Sequence, residues 1–500
     1  MKNKLANYRG AIALCGWLSM QLMMGFSAEA KSPRLVADSQ TSTGICPAQL
    51  PGAINQIVDR PELRRYRWGI VVQSLNGTDK LYNRDGDRLF IPASNMKLIT
   101  TAVALHHLGG ATRLKTSVYQ LPGTGSLTNL LVVGRGDPSL TTTGLQSIAQ
   151  QLKQRGMLQI GDVSFDDGYF RGEQINSDWE WGDLSTDYAP AINSLMLNQN
   201  ALSLTVSPGT VGTPLRYSWA AGGVNTWQVE NQTLTTATSQ DSSVSAIAVF
   251  GKPVLRLTGR LARNADATRI DLPVVNPAES FVGAFRRSLS QEQMTIASTR
   301  LVLGQNTANL PEVASITSPT MGELVREANL KSNNIYAEVL LKSIGRTHPQ
   351  HNTSGEDTSS LGITLVKQRL TELGVNPQSY RISDGSGLSR HNLVAPMAFI
   401  QLLSGMATTP EGKLFRDSLP VGGVSGTLRN RLKGTLAQGI VQAKTGSMSS
   451  TITLSGYINP PKYAPLVFSI MLNQHDTSTS KMSKVIDEIM VLLAKLEQCS

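Results

Sequence analysis

The hydrophobic pattern predicts helices and strands at both ends of the chain and mainly strands between them. Residues 68–75 are strand-like, and the Asn-Gly pair at 76–77 is a typical hairpin turn. Apolar residues recur at helical spacing over residues 94–108, and a Gly-Gly pair ends that helix. Further helices are expected at residues 320–330, 334–344, 360–373, 395–406 and 484–496, and buried strands at 451–458 and 466–472.

Residues 111–311 have a different pattern. Short β-type segments alternate there with Gly, Asn, Thr and Pro turns. We therefore expect an α/β domain, with helices packed on its sheet, that mainly β inserted domains interrupt. The predicted boundaries are residues 31–110 plus 312–500 for the outer domain, 111–200 plus 285–311 for one inserted domain, and 201–284 for a second.

Residues 1–30 have the pattern of a signal peptide. Lys2, Lys4 and Arg9 precede an apolar stretch at residues 11–26, and a small-residue cleavage site follows at 28–30. A spanning helix needs about 20 apolar residues, so an uncleaved anchor is the weaker alternative. No later apolar stretch is long enough to span a membrane. We expect a secreted protein of the periplasm, or another extracytoplasmic compartment, with no transmembrane segment after cleavage.

Composition and charge restrict the classes of binding partner that we expect. The chain has 500 residues, 40% of them hydrophobic, and a formal net charge of +10. Positive charge outside the cytoplasm suits an anionic polymer or a membrane surface, or it serves solubility alone. A nucleic-acid partner is not expected, because Lys and Arg form no dense stripe.

Two cysteines, Cys46 and Cys499, remain after signal cleavage. They either form a disulfide in an oxidising compartment or stay as two free thiols. Neither has a metal-ligating neighbour at useful spacing, and the adjacent His106 and His107 point to different faces of a helix. We expect no metal and no cofactor.

Ser94 and Lys97 form the first candidate catalytic pair. Residues i and i+3 at the start of a helix share a face, so the hydroxyl and the amine can meet at hydrogen-bond distance. A neutral amine can take the hydroxyl proton, and burial or a nearby cation lowers its pKa. The alternative is that Ser94 only caps the helix. Ser478 and Lys481 repeat the same spacing in a polar segment.

Two further motifs supply polar groups of the kind an active site needs. Ser332 and Asn334 lie in a predicted loop before a helix, where a hydroxyl can relay a proton and a carboxamide can bind an amide. Lys444, Thr445 and Gly446 precede a predicted strand. They offer a charge for a carboxylate, a hydroxyl, and a backbone that a substrate can approach. Taken singly, a helix cap and a turn explain them equally well.

In the order SxxK, SxN, KTG the three motifs resemble those of penicillin-binding proteins and the related β-lactamases. More of the chain is similar to one branch, the low-molecular-mass class C penicillin-binding proteins, or D-alanyl-D-alanine carboxypeptidase/endopeptidase family. The long gap between residues 97 and 332 resembles that family, whose extra domains interrupt the transpeptidase-like domain there. The matching segments are residues 92–97, 136–138, 331–334, 384–390 and 443–447.

The resemblance implies a transpeptidase-like (β-lactamase-like) domain with an antiparallel sheet. It also implies a serine-type D-Ala-D-Ala carboxypeptidase or DD-endopeptidase that acts on peptidoglycan stem peptides. Ser94 would be acylated, with Lys97 as the general base. Ser332 would pass the proton to the leaving D-alanine, Lys444 would keep Lys97 neutral, and Asn334 would bind the substrate amide.

The same resemblance assigns the residues around the KTG motif. Lys444 and Thr445 would hold the terminal carboxylate, and Gly446 would let the substrate approach. Backbone N–H groups of Ser94 and Ser447 would form the oxyanion hole. β-Lactam antibiotics would acylate the same serine and leave slowly, as covalent inhibitors.

The family also recognises the free amine end of a diaminopimelate side chain. In this chain Asp183 would give charge complementarity to the ammonium, Trp181 would pack on the methylene stem, and Met448 would lie near. The alternative is a surface aspartate beside a packing tryptophan.

Two other functions stay open at this point: a β-lactamase, and a catalytically inactive peptidoglycan-binding protein. Slow deacylation of bound penicillin would argue against the first. The intact set of candidate catalytic residues argues against the second, because binding alone does not require all of them.

Overall fold

The computed structural model describes residues 44–499, apart from residues 78, 123–126, 221–226, 239–241, 250 and 354. The α-helices, in chain order, are α1 Leu50–Val58, α2 Met96–Leu108, α3 Thr142–Gln154, α4 Pro277–Gln291, α5 Met321–Leu330, α6 Asn334–Arg346, α7 Thr358–Glu372, α8 Pro396–Ala407, α9 Gly412–Asp417 and α10 Thr479–Ala494. The strands are β1 Arg67–Ser74, β2 Lys80–Arg84, β3 Arg113–Leu121, β4 Thr128–Val133, β5 Gln159–Asp166, β6 Ala201–Ser207, β7 Arg216–Trp219, β8 Gln228–Thr236, β9 Ser243–Ala248, β10 Val254–Ala262, β11 Thr268–Pro273, β12 Thr295–Val302, β13 Glu312–Thr320, β14 Tyr380–Arg381, β15 Leu393–Val394, β16 Val441–Met448, β17 Thr451–Ile458 and β18 Leu466–Asn473.

A five-stranded antiparallel sheet, in the order β16-β17-β18-β1-β2, carries the outer part of the chain. In β1, Trp68, Ile70 and Val72 pack in one core with α1 and α10, whereas Val71 packs in another with α2 and α8. Side chains alternate across a strand, so the sheet is buried on both faces and lies between two helical layers. The strand β16, which carries the KTG motif, forms one edge of this sheet.

The chain between α2 and α5 builds a second five-stranded sheet, in the order β12-β5-β4-β3-β13, with parallel and antiparallel pairs. Two three-stranded sheets, β8-β10-β9 and β11-β6-β7, lie between β5 and α4 in sequence and share a core of their own. The predicted division into three domains stays a prediction.

The middle of the chain also contains two helices that the hydrophobic pattern did not predict. Helix α3 buries Leu145, Ile148, Ala149 and Leu152, and α4 packs with it against the mixed sheet. The spacing of those α3 residues is helical. The prediction of mainly β inserted domains did not include these two helices, because short β-type segments on both sides dominated the pattern.

The two ends of the described chain are held together. Cys46 and Cys499 form a disulfide with their Cα atoms 5.6 Å apart, so the free-thiol alternative is excluded in this structure. Ile45 pairs with Leu496 in an isolated parallel β-bridge beside it.

The predicted signal peptide, residues 1–30, lies outside the described residues. None of the helices in the described ranges has both the length and the apolar character that crossing a membrane requires.

Candidate active site

Ser94 lies in a short 3-10 turn, Ala93–Asn95, that leads directly into α2. Ala93 has φ 46°, a left-handed conformation that residues with a Cβ rarely adopt. Helix α2 is capped at Asn95 without a side-chain hydrogen bond, so Ser94 is not a helix cap. Its hydroxyl instead accepts a hydrogen bond from Lys97 Nζ at 3.0 Å.

Lys97 is fully buried, and three oxygen atoms surround its amine. Besides Ser94 Oγ, Nζ donates to Asn334 Oδ1 and to the Ser386 carbonyl, each at 2.7 Å. Burial lowers the pKa of Lys97 to about 7, against the charges of Asp384 and Glu338, which raise it. Once neutral, the amine can keep its bonds to Asn334 and Ser386 and direct its lone pair at the Ser94 hydroxyl.

The second lysine of the site, Lys444, is hydrogen-bonded to Ser332. Lys444 Nζ donates to Ser332 Oγ at 2.9 Å and to the Thr445 carbonyl at 2.7 Å. Lys444 is fully buried, and burial lowers its pKa well below the usual value, with the charge of Lys97 acting in the same direction. Ser332 has φ 56°, and it is Asn333, not Ser332, that caps α6 by accepting from Tyr336 N. The Ser332 hydroxyl is therefore available for chemistry.

Two buried carboxylates behind Lys97 hold the loop that carries the Ser386 carbonyl. Glu338 Oε1 accepts from the backbone N of Gly385 at 3.0 Å and of Ser386 at 2.8 Å. Asp384 accepts from the backbone N of Gly387 and of Ser389, both at 2.7 Å. Burial, together with the charge of Asp384, raises the pKa of Glu338 to about 7.

Sequence reasoning gave these two carboxylates no role. Glu338 follows Asn334 by one helical turn on α6, and residues i and i+4 share a helix face. That spacing was the available signal.

Strand β16 brings its backbone against the Ser94 turn. A Cβ on Gly446 would lie 2.2 Å from Thr453 Oγ1, 2.9 Å from the Pro92 carbonyl oxygen and 3.0 Å from Ser94 N. Only a glycine fits such an approach. The backbone of β16 and the N–H of Ser94 are therefore close neighbours.

These groups surround one cavity of about 610 Å³. Residues from all three motifs line it, namely Ser94, Ser332, Asn334, Thr445, Gly446, Ser447 and Met448. Lys97 and Lys444 lie buried behind the wall and reach it through Ser94 and Ser332.

The residues predicted to recognise an amine are only partly brought together. Asp183 lines the cavity with Met448, and its Oδ1 accepts from the hydroxyl of Tyr188 at 2.9 Å. Trp181 is 58% exposed and is not among the lining residues. The neighbouring Trp179 is buried instead, and its Nε1 donates to Asp384 Oδ2 at 3.0 Å.

Two lining residues to which the sequence analysis gave no role complete this end of the cavity. Tyr188 contributes its backbone as well as its hydroxyl, because its carbonyl accepts from Asn334 Nδ2 at 3.0 Å. Arg390 forms an ion pair with Glu180 at 2.6 Å and also lines the cavity. No periodicity in the sequence marks these loop positions.

Comparison with known proteins gives consistent matches along the chain. Residues 50–496 match the model of the family described as D-Ala-D-Ala carboxypeptidase 3 (S13). A D-alanyl-D-alanine carboxypeptidase of Actinomadura sp. (strain R39) is 33% identical over 440 residues, which cover 84% of this chain and 80% of that protein. The D-alanyl-D-alanine carboxypeptidase DacB of Haemophilus influenzae is 24% identical over 424 residues, 82% of this chain and 86% of that protein.

Among solved structures, penicillin binding protein 4 (dacB) from Haemophilus influenzae matches with a TM-score of 0.77 and 22% identity, over 90% of this chain and 99% of that chain. This match confirms the predicted fold class, an α/β transpeptidase-like domain with helices flanking an antiparallel sheet.

Proposed function

The chain belongs to the D-Ala-D-Ala carboxypeptidase 3 (S13) family, and on that basis we propose that it hydrolyses peptidoglycan stem peptides through an acyl-enzyme on Ser94. That it is a D-Ala-D-Ala carboxypeptidase follows from the family. The roles of single residues, DD-endopeptidase activity, inhibition by β-lactams and an extracytoplasmic location are the proposal.

One observation carries the mechanism: two serine–lysine pairs meet at one cavity. Ser94 Oγ is 3.0 Å from Lys97 Nζ, and Ser332 Oγ is 2.9 Å from Lys444 Nζ. With a pKa of about 7, Lys97 is partly neutral at neutral pH, which suits a general base. Lys97 takes the proton of Ser94 as the hydroxyl oxygen attacks the carbonyl of the penultimate D-alanine.

The second pair acts on the leaving group. Ser332 relays to the nitrogen of the departing D-alanine the proton that Lys97 took from Ser94, while Lys444 and the Thr445 hydroxyl hold the terminal carboxylate. A bound carboxylate favours the charged form of Lys444 and so offsets the effect of its burial. A charged Lys444 in turn keeps Lys97 neutral. Water then hydrolyses the ester on Ser94.

The developing oxyanion is proposed to bind between two backbone N–H groups, those of Ser94 and Ser447. The close approach of Gly446 to Ser94 N supports this arrangement. One such donor typically contributes about 3 kcal/mol to transition-state stabilisation.

Asn334 is proposed to have two roles. Its Oδ1 already orients Lys97. Its amide nitrogen has two protons and one of them bonds the Tyr188 carbonyl, which leaves the other for a substrate amide oxygen.

Recognition of an amine-bearing side chain is assigned to Asp183 and Met448 at the same cavity. A carboxylate there complements an ammonium such as the free end of diaminopimelate. Trp181 is exposed and does not line the cavity, so it is not assigned a role in this recognition.

The test is covalent labelling with a fluorescent penicillin. We expect Ser94→Ala to abolish labelling, because the acylated oxygen is removed. Ser478→Ala is the matched control: it alters the other SxxK sequence, where the serine only caps α10. The control should label like the wild type. Labelling that survives in Ser94→Ala would place the nucleophile elsewhere.

A further inference from the structure

A second cavity adjoins the catalytic cavity. Its volume is about 480 Å³, and three residues, Tyr188, Ser332 and Asn334, line both cavities. The rest of its wall comes from β6, β11, the loop before β6 and the start of α6 with the residues before it, together with Ala220, Val274 and Ser280. The two spaces therefore meet at the serine that is proposed to protonate the leaving group.

The wall of the second cavity contains a strained turn. Asn198, Gln199 and Asn200 have φ values of 49°, 58° and 53°, in the left-handed region; asparagine tolerates this region, whereas glutamine adopts it rarely, so the strain lies mainly at Gln199. Gln199 Oε1 accepts from Asn333 Nδ2 at 2.7 Å, which ties this turn to the SxN loop. Strain of this kind persists where the surrounding structure fixes it, often beside functional sites.

The cavity also contains an unpaired acid. Asp271 forms an ion pair with Arg269 at 2.8 Å. Asp187 is exposed to the cavity and forms no ion pair with any described residue; desolvation and the charge of Asp271 raise its pKa, and the nearby charge of Arg269 lowers it. A ligand that brings a positive charge would be favoured here.

We propose that the second cavity binds the leaving peptide of a cross-linked substrate, an inference that rests on the proposed function. As the bond from Ser94 Oγ to the carbonyl carbon forms, the C–N bond breaks and the proton from Ser94 ends on the leaving nitrogen. Whatever is attached to that nitrogen stands at Ser332, where the cavities meet. Free D-alanine needs little space there, whereas a cross-link continues from the same nitrogen as a peptide.

The released peptide has a new amine at the cleaved position. At neutral pH this amine takes up a proton from water and becomes an ammonium, which can form an ion pair with Asp187. The second cavity thus serves cleavage of cross-links and is not needed for release of D-alanine.

The experiment compares two substrates without sugars, a monomeric pentapeptide and a D-Ala–diaminopimelate cross-linked dimer. Ala220→Trp fills the second cavity from its exposed rim. Ser218→Trp, on the exposed end of β7 outside the cavity wall, is the matched control. We expect Ala220→Trp to lower kcat/KM for the dimer about tenfold and to leave the pentapeptide within twofold. Ser218→Trp should change neither.

A second variant, Asp187→Asn, removes the unpaired charge with little change of shape. Because the ammonium forms only on release, this variant should weaken inhibition by the amine-bearing peptide product several-fold and leave kcat/KM for the pentapeptide within twofold. Penicillin labelling of each variant checks that the catalytic site is folded.

Two results would overturn the inference. These are unchanged dimer cleavage in Ala220→Trp, or equal losses on both substrates. A wild-type enzyme that hydrolyses the pentapeptide but not the dimer would also overturn it. If neither substrate is hydrolysed, it is the proposed function that fails.

Discussion

Two buried lysines dominate the electrostatics at the scale of single residues. Burial lowers the pKa of both Lys97 and Lys444, and the charge of Lys97 lowers that of Lys444 further. Glu338 and Asp384 act in the opposite direction on Lys97. Their charges keep its pKa near 7 rather than lower, so the same carboxylates that position the Ser386 carbonyl also set the strength of the base.

The pH dependence of acylation tests this balance. The rate of acylation by penicillin should rise with pH as Lys97 loses its proton, with a midpoint near its pKa of about 7. Glu338→Gln removes a negative charge that favours the ammonium, so the pKa of Lys97 should fall and the midpoint should move to lower pH. Stopped-flow acylation between about pH 5 and 9 measures it.

A matched control for that shift is Glu323→Gln, which changes a glutamate at the N-terminus of α5. Its profile should coincide with that of the wild type. A midpoint that stays in place, or moves upward, in Glu338→Gln would contradict the assigned role.

At the scale of single residues, the sequence predicts contacts between residues close together in the chain better than contacts between distant segments. The contact between Ser94 and Lys97 is predictable because helical geometry alone brings i and i+3 together. The sequence does not predict which of Trp179 and Trp181 points inward, because their segment has neither helical nor strand periodicity. Trp179 is buried where it bonds the Asp384 loop, more than 200 residues away in sequence.

At the scale of elements, the edge strand β16 is the critical piece. Its pairing with β17 places Gly446 opposite Thr453 and Lys444 opposite Ser455. The same strand therefore aims Lys444 into the interior and presents its backbone to the cavity. A side chain at position 446 would separate β16 from the Ser94 turn.

Gly446→Ala should slow acylation by penicillin about tenfold or more, because the added methyl group displaces the strand relative to Ser94. Acylation kinetics measure the effect, and thermal unfolding shows whether the fold survives. Gly52→Ala is the control: its Cβ meets nothing within 4 Å, and alanine should stabilise α1 by about 0.5–1 kcal/mol. Normal acylation by Gly446→Ala would show that the close approach is dispensable.

Elements with a strong local period were predictable, and those that tertiary contacts stabilise were less so. Helix α2 and strands β17 and β18 agree with the hydrophobic pattern. Helix α1 begins in a segment rich in small and polar residues, and it buries Leu50, Ile54 and Val58 against α10 and the sheet. The spacing of these residues is helical, so the local pattern contained a signal that the prediction missed; what it could not show is the remote partner that covers this face.

At the scale of the whole molecule, the site depends on pieces of chain that are far apart in sequence. Residues 94, 332 and 444 lie together in a fold whose central sheet joins strands from near both ends of the chain. The order of the residues along the chain does not predict that they lie together. The prediction came from the three motifs and their resemblance to a known family. The disulfide joins those same two ends.

Loss of the disulfide should destabilise the fold. Removing a native disulfide from a folded protein typically costs about 2–4 kcal/mol. We expect Cys46→Ser and Cys499→Ser to lower the thermal midpoint by the same amount, and a reductant to lower it only in the wild type. Differential scanning calorimetry with and without reductant measures both effects. A reductant that leaves the wild-type midpoint unchanged would contradict the prediction.

The adjacency of the chain's two described ends has a consequence for its connectivity. Ile45 and Leu496 pair directly, so a short linker between residues 44 and 499 would not have to cross the fold. The disulfide between Cys46 and Cys499 already closes the described chain into a covalent loop. A circular permutant, opened at an exposed turn elsewhere, should rebuild the same pocket and still react with penicillin.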